Sequence, residues 1–177
     1  MQENKHLNVF DFDETLFRVP NYTVSEAKGI EPYDWFDSAE SLDERFGIRG
    51  IVNTISRTNE PGASSILVTH RVKDCEPRVI ELLKANGIEF DAVYFLGRGS
   101  HKASTVLEAI EGTGIESITV YEDTLWEIIS YARIFEDAKI SQDVKFVFVD
   151  KSKLIYIAWP EALRLAETIE FERLELI

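Results

Sequence analysis

The sequence is poor in the residues that staple or metallate small proteins. Cys75 is the only cysteine among 177 residues, which excludes an internal disulfide and leads us to expect a reducing, cytoplasmic setting. With only three histidines, scattered along the chain, a structural zinc site of the usual kind is excluded as well. Positive charge is scarce: 19 Lys and Arg against 32 Asp and Glu give a formal net charge of −13. Such a surface opposes sequence-blind binding to nucleic acid, which needs cations to displace counterions. It also opposes docking on an anionic membrane. No apolar run is long enough to span a bilayer. The opening residues MQENKHLNVF lack the pattern of a signal peptide. Internal repeats and low-complexity segments are also missing.

What remains is an ordinary globular composition, 45% hydrophobic and 29% charged, at a length that suits one domain over 1–177. Short apolar runs read as buried strands at His6 to Phe12, Ser64 to Thr69, Ala92 to Leu96, Ser117 to Tyr121 and Val144 to Val149. Helical patterns fall between and after them, at Pro77 to Asn86, Lys102 to Ile110, Thr124 to Phe135 and Pro160 to Glu172. Strands alternating with helices predict an α/β protein, a parallel five-stranded sheet covered on both faces in three α/β/α layers. Residues 20–61 break the alternation with Tyr22, Tyr33, Trp35 and Phe36 between Pro20 and Pro61. A stretch of that length after the first strand is either a lid over the strand ends or a satellite aromatic cluster. Trp35, Phe36 and Trp126 read as core rather than stacking platforms, and Cys75 as a small buried hydrophobe.

The chemistry concentrates at strand ends. Asp11 and Asp13 close the first strand, and in an extended chain both carboxylates face the same side. Ligands of open α/β sheets bind outside the carboxyl ends of strands. Two adjacent carboxylates repel unless a proton or cation relieves them, and a hard ion such as Mg²⁺ takes oxygen ligands together with substrate phosphate. Glu122 and Asp123 follow the fourth strand, Thr69 ends the second, and Lys102 opens the helix after the third. A hydroxyl and an ammonium so placed could hold phosphoryl oxygens.

These residues resemble the motifs of the haloacid dehalogenase superfamily of phosphatases and phosphotransferases. DFDETL is similar to its first motif, Thr69 to its second, Lys102 to its third and Glu122-Asp123 to its fourth, from Val9 to Asp123. A narrower resemblance is to the haloacid-dehalogenase-like domain of "Swiss Army knife" RNA-repair-like proteins. It rests on DFDETLFRVPN, DWFDSAESL, LVTHR followed by GIEFDAVYF, and YED. Two departures stand out. The second-motif turn is often Thr-Gly-Arg in that subgroup, and here it is Thr69-His70-Arg71. Glu122 stands where many members carry Asp.

The resemblance implies a Rossmann-like fold, with 20–61 as an insertion or minimal cap, and a Mg²⁺-dependent phosphatase. Asp11 would be the nucleophile and form an aspartyl-phosphate. Asp13 would act as general acid and then base, while Thr69 and Lys102 hold the equatorial oxygens. The metal would be held by Asp11, by Asp13 through its backbone carbonyl, and by Asp123, with Glu122 in the metal shell or in support. Thr15 would fix the turn after the first strand and stand among the substrate-binding residues, and His70 and Arg71 would contact substrate or support the fold. Lys73 and Arg98 are rival cations to Lys102. The implied substrate is a phosphorylated small molecule, a nucleotide or a nucleic-acid end. The alternative is a catalytically silent binding or regulatory module on the same fold. Oligomeric state is not written in the sequence.

Overall fold

Alternation of side chains along the first strand builds both halves of the core. Leu7 and Val9 point to one face of the sheet and Phe10 to the other, all buried. The computed structural model describes residues 5–19 and 22–174, so the expectation for Pro20 lies outside the described residues. In chain order the elements are β1 (His6–Phe10), β2 (Phe17–Arg18), α1 (Tyr22–Lys28), α2 (Pro32–Phe36), β3 (Arg49–Gly50), α3 (Val52–Ile55), β4 (Ala63–Thr69), α4 (Glu76–Ala85), β5 (Ala92–Phe95), α5 (Lys102–Ile110), β6 (Ser117–Glu122), α6 (Leu125–Asp137), β7 (Asp143–Asp150), β8 (Lys153–Ala158) and α7 (Trp159–Leu174).

The main sheet has the order β5-β4-β1-β6-β7-β8, and a two-stranded ribbon pairs β2 with β3. The first five strands of that order run parallel, as expected for an α/β fold. The sheet has six strands rather than five, because β8 adds antiparallel to β7 at the edge. The turn between them places Lys151 and Ser152 at φ 49° and 88°, the two-residue hairpin geometry that suits the right-handed twist of strands. Ile155 and Tyr156 of β8 are exposed, as befits a strand at the edge of the sheet.

One face packs Leu7, Val9, Ile66, Val68, Ile118 and Val120 against α5, α6 and α7. The other packs Phe10, Leu67 and Tyr121 against Val79, Leu82 and Leu83 of α4. Because β1 lies between β4 and β6, the carboxyl ends of these three strands meet where the strand order reverses. Trp35 is buried, edge-on to Phe46 at 5.2 Å, and Phe36 is half-buried. Trp126 departs from its expected core place: it is exposed, in the first turn of α6 and off the stripe of Ile128, Tyr131, Ala132 and Phe135 that the helix buries. No helix among the described residues is long and apolar enough to cross a membrane.

Candidate active site

The site is assembled by register. Phe10 pairs with Leu67 on one side and Tyr121 on the other, so the next residues of three strands arrive together. The Asp11 amide donates to the Tyr121 carbonyl at 3.1 Å and carries β1 one step further along β6. Beyond it the chain turns sharply. Glu14 sits at φ 54°, its amide donates to the Phe17 carbonyl at 2.8 Å, and its carboxylate accepts the Val19 amide. Thr15 lies inside this turn, fully buried, and its hydroxyl has no hydrogen-bond partner.

At the strand ends a buried cation is shared by two buried acids. Lys102, 3% exposed at the start of α5, donates to Asp11 Oδ1 at 2.7 Å and to Glu122 Oε2 at 2.8 Å. Asp11, Glu122 and Asp123 can each bring one carboxylate oxygen within 4.8 Å of the others. Burial pushes Asp11 and Glu122 up to about 7 against the pull of Lys102. Burial, with the charge of Asp11, pushes Asp123 up to about 7 as well. Burial also opposes the Lys102 charge, but Asp11 and Glu122 outweigh it and hold that pKa well above the ordinary lysine range. One ammonium thus faces three carboxylates, and the surplus negative charge calls for a proton or a cation. An all-oxygen donor set of this charge fits Mg²⁺.

The other residues singled out from the sequence are placed nearby in distinct ways. The Asp13 carboxylate stands outside the three-acid group. Arg71 takes it in a fork, with Nη2 2.7 Å from Oδ1 and Nε 3.0 Å from Oδ2. Arg71 is itself buried and also donates to the Phe36 carbonyl and to Ser41 Oγ. Thr69 is buried at the end of β4, and its hydroxyl accepts the Arg71 amide at 3.2 Å. His70, half-buried, has Nδ1 3.2 Å from the Gly97 carbonyl and Nε2 3.2 Å from Glu127. Its pKa is raised, first by the Glu127 hydrogen bond, with burial opposing. His70 keeps a negative φ, so the Thr69-His70-Arg71 turn has no need of the glycine common in similar sequences.

Of the rival cations, Lys73 pairs with Glu76, and Arg98 pairs with Asp34 and Asp37. Lys102 is the cation that reaches Asp11. Ser41 and Glu127 were missed in the sequence. Glu127 carried a readable signal, since Thr124 and Glu127 are spaced as a capping box and the Thr124 side chain accepts the Glu127 amide. Ser41 carried none. A cavity of about 340 Å³ opens beside Asp13, between His70 and Arg71 on one side and Tyr33, Phe36 and Arg98 on the other.

Comparison with known proteins gives fold and little more. No family model and no curated protein matches the chain. Among solved structures, the HAD domain of effector protein Lem4 from Legionella pneumophila superposes with a TM-score of 0.55 at 13% identity, over 94% of this chain and 95% of that one. A chain of the Pnkp1/Rnl/Hen1 RNA repair complex superposes with a TM-score of 0.52 at 16% identity, over 73% of this chain. The match spans only 40% of the length of that chain. HAD is the haloacid dehalogenase fold whose motif order the sequence resembles, and the architecture of this chain is haloacid dehalogenase-like.

Proposed function

We propose that the protein is a Mg²⁺-dependent phosphatase that hydrolyses a phosphomonoester through an aspartyl-phosphate on Asp11. The observation that carries this reading is the buried Lys102 held between Asp11 and Glu122, with Asp123 within reach. Desolvating an ammonium and three carboxylates is costly, and perturbed acids clustered at a sheet switch point mark a functional site.

In this reading an Asp11 oxygen attacks phosphorus while the bond to the leaving oxygen breaks, and that oxygen takes a proton from Asp13. Water then attacks the acyl phosphate and gives its proton to Asp13, and inorganic phosphate and free Asp11 result. Lys102 and Thr69 hold phosphoryl oxygens as charge develops. Asp11, Asp123 and Glu122, with the Asp13 carbonyl, would hold the metal, which supplies the positive charge that lets an anionic ester approach an anionic nucleophile.

Residues 20–61 act as a minimal cap in the same reading, because the Phe36 carbonyl and Ser41 bond the guanidinium that holds Asp13. One structural neighbour belongs to an RNA repair complex, which supports a nucleotide or nucleic-acid end as a substrate class. The net charge of −13 favours a small ester over a polynucleotide.

The test is hydrolysis of 4-nitrophenyl phosphate with and without Mg²⁺, by the wild type and by Asp11→Asn. Turnover that needs both the metal and Asp11 supports the proposal. Equal turnover by Asp11→Asn removes Asp11 as nucleophile, and no turnover of any phosphate ester favours a silent binding module.

A further inference from the structure

A second cavity, of about 340 Å³, opens between the β2–β3 ribbon and the β7–β8 turn. Arg18, Arg49 and Gly50 line it from the ribbon, Val52 and Asn53 from α3, and Ser152 from the turn. It shares no lining residue with the cavity beside Asp13. Its walls are tied together. The Asn53 side-chain amide donates to the Ser152 carbonyl at 2.8 Å. Gly50 lets the ribbon close on α3, since an added Cβ would stand 2.5 Å from Ile55 Cδ1. The charge of the cavity sets it apart. Arg18 and Arg49 are register partners across the antiparallel ribbon, a place where like charges repel. The chain has 32 acidic residues, yet no Asp or Glu among the described residues lines this cavity. Arg45, Arg71, Arg78 and Arg98 each have a carboxylate oxygen within 2.9 Å. Arg49 has no ion pair among the described residues, and Arg18 has only a distant one, to Glu14 at 3.9 Å. Glu14 is already engaged by the Val19 amide. Lys151 and Lys153, both exposed, flank Ser152, with Asp150 the one acid of that turn.

We infer that this cavity is a phosphate-binding site separate from the Asp11 centre. A guanidinium presents a rigid fork of N–H donors that matches phosphate oxygens, and Arg49 has its whole fork to offer. Charge selects phosphate over carboxylate. A carboxylate answers one of the two opposed guanidinium groups. A phosphoryl group carries about −1.5 to −2 near neutral pH, answers both, and turns their repulsion into affinity. The net charge of −13 turns anions away from the surface at large, so a pair of cations without local acids is where one settles. The site is also near the proposed chemistry. Asp13 bridges to Phe17 and Arg18 follows Phe17, so strand spacings put the Cα atoms of Asp13 and Arg18 within about 9 Å of each other. Free phosphate and a second phosphate carried on a nucleotide share this chemistry.

Arg49 is exposed, so its variants should fold. Binding of inorganic phosphate and of acetate is followed by calorimetry at constant ionic strength with divalent metal removed. The proteins compared are the wild type, Arg49→Gln, Arg49→Lys and Asp11→Asn. The wild type should bind phosphate more tightly than acetate. Arg49→Gln should weaken phosphate binding by at least about tenfold, the worth of a charge-assisted hydrogen bond. Arg49→Lys, which keeps the charge and loses the fork, should fall between them, and Asp11→Asn should bind as the wild type does. Melting gives a second reading. Without phosphate, Arg49→Gln should melt no lower than the wild type, because it removes a repulsion, and phosphate should raise the wild type further than the variant. Adenosine 5′-monophosphate and adenosine 3′,5′-bisphosphate separate the sources. Tighter, Arg49-dependent binding of the bisphosphate points to a phosphate carried on a nucleotide, and Arg49 dependence confined to inorganic phosphate points to the free ion; either supports the site. Phosphate binding indifferent to Arg49→Gln, binding altered only in Asp11→Asn, or acetate bound as tightly as phosphate overturns it. The outcome is independent of hydrolysis. Turnover that needs Asp11, without Arg49-dependent binding, removes the site and leaves the phosphatase reading standing. Arg49-dependent binding in a protein that hydrolyses no ester keeps the site and removes that reading.

Discussion

Arg71 clasps Asp13 through two nitrogens, and the same guanidinium reaches out of the sheet to the Phe36 carbonyl and Ser41. One buried side chain thereby ties the proposed acid to α2 and the turn after it. The fork is shared unequally. Oδ1 receives Nη2 at 2.7 Å and Nε at 3.2 Å, whereas Oδ2 receives Nε alone at 3.0 Å. Oδ2 is therefore the oxygen with capacity left for a proton and a leaving group.

Arg71→Lys keeps a positive charge and loses the planar fork. If Arg71 positions Asp13 for proton transfer, the variant loses more on alkyl phosphates, whose leaving oxygens need the proton, than on 4-nitrophenyl phosphate, whose leaving group departs without it. General acid catalysis contributes about 10²- to 10⁴-fold, so we expect the alkyl-to-nitrophenyl ratio to fall by at least about tenfold. A loss of equal size on both esters would assign Arg71 to scaffold alone.

Lys102→Met leaves Asp11 and Glu122 buried without their shared cation. Removing one partner of a buried pair costs about 3–5 kcal/mol. The sign with pH follows from the acids. Burial pushes both up to about 7, so at about pH 5 they can take protons and relieve the loss. Urea denaturation should show the variant strongly destabilised at about pH 8 and much closer to the wild type at about pH 5. A penalty independent of pH would mean that the carboxylates do not feel the ammonium.

Much of this arrangement is legible in the sequence, for physical reasons. Five apolar runs become five parallel strands because a parallel sheet buries both faces and leaves a continuous hydrophobic trace. The helix expected from about Lys102 to Ile110 is α5, since Ala103, Val106 and Ile110 form an apolar stripe of helical period. β8 also carries an unbroken apolar run, Leu154 to Ala158, so what the sequence does not show is its antiparallel place at the sheet edge, where Ile155 and Tyr156 are exposed. The partners of Arg71 were hidden because Phe36 contributes a backbone carbonyl and Ser41 an ordinary hydroxyl. Neither leaves a signature in side-chain type. Trp126 misled for a related reason: hydrophobic bulk says that a residue gains from burial, not that its turn of helix faces the core.

Mg²⁺ should stabilise the protein more at high pH than at low. Asp11, Glu122 and Asp123 are each pushed up to about 7, so between about pH 4 and pH 7 the folded state holds more protons than the unfolded chain. Without metal, stability therefore falls as pH rises across that window. A divalent ion needs the carboxylates ionised, and binding recovers what their repulsion costs. The rise in melting temperature on adding Mg²⁺ should be large at about pH 8, small at about pH 5 and abolished in Asp123→Asn. A shift of the same size at both pH values would count against metal binding at these acids.

His70 offers an opposite test on the cavity wall. Glu127 and the Gly97 carbonyl raise its pKa above the ordinary 6.5, with burial opposing. A base with a raised folded pKa contributes stability that is fully present below about 6.5 and is lost as pH rises through the folded value. The melting-temperature difference between the wild type and His70→Gln should be largest near pH 6 and shrink towards about pH 9. The side chain is 38% exposed, so solvent keeps the effect modest. A difference that grows with pH would show that His70 is held neutral.

Thr15 and Thr54 are both fully buried with hydroxyls that find no partner. A desolvated hydroxyl without a hydrogen bond costs about 1–3 kcal/mol, and valine replaces it with a methyl of similar shape. Thr54→Val, in the short α3, should raise stability to urea by about 1 kcal/mol. Thr15→Val should gain as much, because its environment is equally closed. The pair also separates two roles for Thr15, which lies in the turn that carries Asp13. A gain in stability with no greater loss of turnover than in Thr54→Val confines Thr15 to shaping the turn. A gain in stability accompanied by a fall in kcat assigns its unpaired hydroxyl to the substrate phosphate, reached when the ester binds. A loss of stability in both variants would mean that the hydroxyls are bonded in solution.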